Sequence, residues 1–69
     1  METVDVRGLS CPLPVMRTKQ VIDKGARELL VRGNSSVSLE NVSRLATSQG
    51  YQINMKVNDK NNWEMELKK

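Results

Sequence analysis

Polar and apolar residues alternate strictly over the last third of the chain. In YQINMKVN, residues 51–58, Tyr51, Ile53, Met55 and Val57 fall on one side, with Gln52, Asn54, Lys56 and Asn58 on the other. WEMELK, residues 63–68, sets Trp63, Met65 and Leu67 against Glu64, Glu66 and Lys68. A period of two predicts strands with one covered and one wet face. DKNN, residues 59–62, supplies turn residues at hairpin length between them. Charge on the wet face of the last strand predicts an edge position for it. Two shorter stretches read the same way. TVDV, residues 3–6, puts Val4 and Val6 together, and ELLVR, residues 28–32, puts Leu29 and Val31 opposite Leu30. A parallel sheet covered on both faces would show continuous apolar runs instead.

Between these strands the period lengthens to that of a helix. Val15, Thr18, Val21 and Ile22 form one stripe, so the first helix is predicted from Pro12 to about Lys24. It should stop at Gly25, a residue suited to the left-handed end position. A second helix should start within NSSVS, residues 34–38, which is rich in N-cap residues, and end at Gly50. Its buried stripe is Leu39, Val42, Leu45 and Ala46. The predicted fold class is α+β: a two-layer sandwich of order βαβαββ, with two helices on one face of a four-stranded mixed sheet. Residues 1–69 read as one domain, without linker, repeat or low-complexity tract.

Composition narrows the function. One cysteine and no histidine in 69 residues exclude an intramolecular disulfide, a zinc finger and a haem attachment. No metal and no cofactor are expected. A secreted domain of this size would carry several cysteines, no apolar run approaches the roughly 20 residues of a membrane span, and METVDVRG lacks a signal peptide's apolar core. A cytoplasmic location, away from membranes, follows as an expectation. The net charge of +3 suits an acidic protein or RNA and chooses neither. Tyr51 and Trp63 are the only aromatic residues and both fall on apolar strand faces, as do Met55 and Met65, so all four read as core.

The candidate chemistry lies in VRGLSCPLPVMRTK, residues 6–19. Proline is tolerated in a helix's first turn, where N–H groups lack intrahelical partners. Pro12 at the first helical position and Pro14 at the third would place Cys11 at the N-cap. There the dipole and free N–H groups favour a thiolate, lowering its pKa below the free value of about 8.5. Gly8 would permit a tight approach of the chain. The alternative is a small, inert, buried thiol. A hydrolytic cysteine needs a base, and no histidine is present; disulfide exchange within the chain needs a second cysteine. A carrier or a sensor remains, and a persulfide suits a carrier because sulfur passes between thiolates without base or metal.

DVRGLSCPLPVMRTKQVI, residues 5–22, resembles the Cys-Pro-x-Pro signature of the TusA/SirA/YedF family of small sulfur-carrier proteins. ENVSRLATSQGY, residues 40–51, is similar to the second helix of YedF-type members, which are linked to selenium metabolism. The resemblance spans essentially the whole chain. It implies that Cys11 accepts a persulfide sulfur from a cysteine desulfurase and relays it to a downstream acceptor protein. That is a sulfurtransferase-like carrier, not a stand-alone multi-turnover enzyme. Pro12 and Pro14 would shape the helix start. YedF-type members also carry a DsrE-related domain, so a DsrE-like domain is a further expected partner. Leu13 stands where the tRNA-thiolation member has an acidic residue, and GNSSVS, residues 33–38, lacks that member's Asp-Asp-Pro. Both departures weaken the link that the resemblance implies to tRNA thiolation in particular.

Arg7 and Lys19 are candidates for tuning the thiolate or meeting an acidic partner, with Asp5 as a possible holder of Arg7. Arg17 reads as ordinary exposed charge. Leu13 and Met16 lie off the buried stripe and predict an apolar docking surface beside the thiol. Two rival functions remain. One is an RNA-binding module resembling the C-terminal domain of bacterial initiation factor three, using Arg27, Arg32, Lys56, Lys60, Lys68 and Lys69. The other is a regulatory docking domain without sulfur chemistry.

Overall fold

In the computed structural model, which describes residues 2–10, 12–59 and 61–69, the predicted order βαβαββ is present. The elements are β1 (Glu2–Asp5), α1 (Leu13–Asp23), β2 (Glu28–Gly33), α2 (Ser36–Ser48), β3 (Gln52–Asp59) and β4 (Asn62–Lys68). The sheet order is β1-β2-β4-β3, with β1 parallel to β2 and the other pairs antiparallel. Its covered face contributes Val4, Val6, Leu29, Val31, Trp63, Met65 and Leu67, and the helices contribute Ile22, Val42 and Ala46. Tyr51 joins them, its hydroxyl donating to the Ala26 carbonyl.

Three expectations need correction. β4 is central, not an edge: its wet-face acids meet cations on both neighbours, Glu64 with Arg32 at 3.2 Å and Glu66 with Lys56 at 3.8 Å. Charge on a wet face thus marks cross-strand pairing as readily as an edge. Val57 leaves the apolar face, because β3 bulges between Met55 and Val57 and Val57 pairs with Glu64. The extra residue reverses the alternation beyond it and leaves Val57 exposed. The first helix begins one residue late: Pro12 is its cap, Leu13 its first residue and Pro14 its second.

The helix stripes are close to expectation. On α1 the deepest residues are Pro14, Thr18 and Ile22, spaced by four, with Val15 and Val21 half-buried. Pro14 takes the inward place that Val15 was expected to share. Ser35 caps α2, its Oγ accepting from the Ser38 N–H at 3.4 Å. The far end closes with Tyr51 N–H donating to the Ala46 carbonyl and Gly50 N–H to that of Thr47, the paired bonds of a Schellman ending.

Candidate functional site

Because β1 and β2 are parallel neighbours, the loops leaving them emerge at the same end of the sheet. One loop leads into α1 and carries the sequence motif. The other leads into α2. Pairing continues past β1, where Val6 N–H donates to the Arg32 carbonyl at 2.8 Å. A turn follows, with Leu9 N–H on the Val6 carbonyl at 3.3 Å. Gly8 sits in this turn at φ +76°, and its N–H donates to Asn34 Oδ1 at 3.1 Å. Nothing stands within 4 Å of where a Gly8 Cβ would be. Its value is therefore the left-handed backbone and not the tight approach expected from sequence.

Cys11 lies outside the described residues, and the N-cap position expected of it is taken by Pro12. Its neighbours define the frame around it. Leu13 N–H donates to the Ser10 carbonyl at 2.9 Å, and Met16 N–H to that of Pro12 at 3.1 Å. Pro12 is exposed, whereas Pro14 is fully buried. The Pro14 carbonyl accepts a bond from Thr18 Oγ1 at 2.9 Å, which satisfies the one buried hydroxyl on this stripe. Neither proline has an N–H, and that of Leu13 is already bonded to Ser10. An anion at this helix start therefore meets fewer hydrogen-bond donors than an ordinary first turn offers, beside the dipole itself.

Leu13 and Met16 are 45% and 51% exposed, as their helical phase requires. Val37, in the first turn of α2, is 59% exposed. The candidate cations are already engaged. Arg7 grips Asp5 through two side-chain bonds of 3.0 and 2.8 Å, and its backbone N–H adds a third at 3.1 Å. These bonds, the side-chain ones first, hold the Asp5 carboxyl down from 3.8 to about 2. The same pairing raises the Arg7 pKa further, so Arg7 stays charged. Lys19 pairs with Asp23 at 3.0 Å, one turn along α1.

Four of the six cations expected of an RNA-binding face are likewise engaged. Arg32 and Lys56 pair as above, Lys68 lies 3.8 Å from Glu28, and Lys69 sits over the Tyr51 ring at 5.2 Å. Lys60 lies outside the described residues, and Arg27 is exposed. Cations already paired with carboxylates, as Arg32, Lys56 and Lys68 are, make a weaker phosphate groove than free ones. Among the described residues, no helix is long and apolar enough to cross a membrane.

Sequence reasoning missed Asn34, which it treated only as part of a cap-rich stretch. Its bond to Gly8 spans 26 positions, and no local pattern announces it. It also missed the burial of Pro14, for which the four-residue spacing to Thr18 and Ile22 was an available signal.

Comparison with known proteins agrees with this architecture. The family model described as "Sulfurtransferase TusA" matches residues 2–69. Two relatives bear the name "Putative sulfur carrier protein". One, from Methanocaldococcus jannaschii, is 32% identical over 71 residues, covering 100% of this chain and 95% of its own. The other, from Halobacterium salinarum, is 46% identical over 41 residues, covering 54% and 51%. The crystal structure of a SirA-like protein from Desulfitobacterium hafniense superposes with a TM-score of 0.81 at 28% identity, covering 97% of this chain and 95% of that one.

Proposed function

The chain belongs to the TusA sulfurtransferase family, and on that footing we propose that it carries sulfur as a persulfide on Cys11. The observation that carries this reading is the chain's one thiol, set by sequence directly before the Pro12 cap of α1 in a protein without histidine. The Cys11 thiolate attacks the outer sulfur of a persulfide on a cysteine desulfurase. The new S–S bond forms on Cys11 as the donor's S–S bond breaks, and the donor cysteine leaves as a thiolate that takes up a proton. The transferred sulfur keeps its oxidation state, so the step needs no external oxidant or reductant. The acceptor protein's thiolate then repeats the attack on the Cys11 persulfide.

Pro12 and Pro14 fix the direction in which the chain enters α1, while exposed Leu13 and Met16, two and five residues after Cys11 in the chain, give donor and acceptor an apolar surface. Arg7 and Lys19, each matched by its own carboxylate, take part as paired surface charge. The likeness of α2 to YedF-type members makes selenium the second cargo to test. Incubation with a cysteine desulfurase and cysteine labelled with radioactive sulfur tests the reading. Label should join the protein, leave on thiol reduction, and fail to join Cys11→Ser. Label that survives reduction, or that joins Cys11→Ser equally, would refute it.

A further inference from the structure

We propose that Asn34 is a positioning residue for the segment that delivers Cys11. The reading of Cys11 as a carrier decides what this segment delivers; the contact itself stands on geometry alone. The corner between β2 and α2 is fixed on both sides of Asn34. Before it, Gly33 packs against the Trp63 ring so closely that a Cβ would fall 2.1 Å from Trp63 Cζ2. After it, the Ser35 carbonyl accepts the Trp63 indole N–H at 2.9 Å, and the Ser35 Oγ caps α2. Asn34 thus projects from a corner bolted to the core, and its Oδ1 takes the Gly8 N–H at 3.1 Å.

Gly8 precedes Cys11 by three residues. After Val6 and up to Leu13, the other backbone bonds among the described residues are local ones: Leu9 to Val6 within the turn, and Leu13 to Ser10 across the motif. Beyond the Val6–Arg32 bond that ends the strand pairing, the Asn34 bond is the long-range hydrogen bond of this stretch among the described residues, beside the packing of Leu9 against the core. Asparagine suits the task because it offers a neutral acceptor, so the tie brings no negative charge toward a thiolate. Asn34 is exposed and outside the core, so its loss should appear in the placement of the segment far more than in global stability.

The test compares wild type, Asn34→Ala and Asn34→Asp, the last keeping an acceptor oxygen. Amide hydrogen exchange at Gly8 and Leu13 reads the segment without reference to sulfur. Single-turnover uptake from a persulfide-loaded desulfurase reads delivery, resolved into the rate at saturating donor and the half-saturating concentration. In Asn34→Ala, exchange at both amides should rise roughly five-fold, the weight of one neutral hydrogen bond. Saturating uptake should fall roughly ten-fold, as expected for a misplaced reacting group, with the half-saturating concentration unchanged. Asn34→Asp should restore exchange protection but only part of the rate, because its carboxylate brings the negative charge that asparagine avoids. The proposal is overturned if exchange changes at Gly8 alone or at neither amide, if uptake by Asn34→Ala matches wild type, or if Asn34→Asp restores nothing. Failure of wild type itself to take up sulfur would sink the carrier reading, and the exchange pattern would then decide the positioning role by itself.

Discussion

Gly33 stands opposite Trp63 across β2 and β4, with Trp63 Cζ2 2.1 Å from the place a Cβ on Gly33 would take. The ring is fully buried and cannot withdraw into solvent. Gly33→Ala should therefore destabilise by about 1–3 kcal/mol, the usual cost of overpacking. Trp63→Ala should cost about 3–5 kcal/mol. A domain of this length has roughly 3–10 kcal/mol in total, so the second variant should be largely unfolded. Urea denaturation followed by circular dichroism checks both.

The two prolines should separate. Pro12 is exposed and Pro14 fully buried beneath Thr18. Pro12→Ala should leave stability within about 0.5 kcal/mol. Pro14→Ala should cost roughly 1–2 kcal/mol, through a small void and a freer unfolded chain. Both should slow sulfur uptake. Equal stability of the two variants in denaturant would contradict the burial argument, and wild-type uptake by both would leave the motif without the placing role argued for it.

Most of the architecture was legible because alternation and helical spacing report directly on which face is covered. Leu29, Val31, Met65 and Leu67 all fall where the pattern puts them. What pattern does not carry is order within the sheet. Glu64 and Glu66 look alike at an edge or between two strands, and only the partners Arg32 and Lys56 distinguish these cases. The bulge at Lys56 leaves no local mark either, since Val57 continues the alternation in sequence while turning outward in space. At the site, the exposure of Leu13 and Met16 was legible from helical phase. The Gly8–Asn34 tie was not, because it depends on two loops brought together by strand pairing.

Asp5 supplies a pH signature. Its carboxyl is held near 2 in the fold and returns to about 3.8 when the grip of Arg7 is lost. Between these values the unfolded chain binds more protons, so the contribution is fully present above the unfolded value and is lost as pH falls through the folded one. Asp5 is exposed, so the effect on stability should be small and weakened by salt. Carboxyl carbon shifts followed by NMR against pH should place the Asp5 midpoint well below those of unpaired carboxylates. Arg7→Gln should move it back toward the ordinary range. A midpoint unchanged by that substitution would rule out Arg7 as the cause.

The exposed apolar pair on α1 should act in docking. Leu13→Glu with Met16→Glu changes two side chains outside the core, so unfolding should shift by about 1 kcal/mol at most. Sulfur uptake should require a higher donor concentration, with the saturating rate much less affected. An uptake curve identical to wild type would exclude this surface from the donor contact.

The central claim is that Cys11 holds transferred sulfur, and intact-mass analysis addresses it most directly. The protein, incubated with an active cysteine desulfurase and cysteine, should gain the mass of one sulfur atom. Peptide mapping should place the gain at Cys11, reduction should reverse it, and Cys11→Ser should show none. An unchanged mass, with an established carrier loaded in parallel by the same desulfurase, would contradict the account.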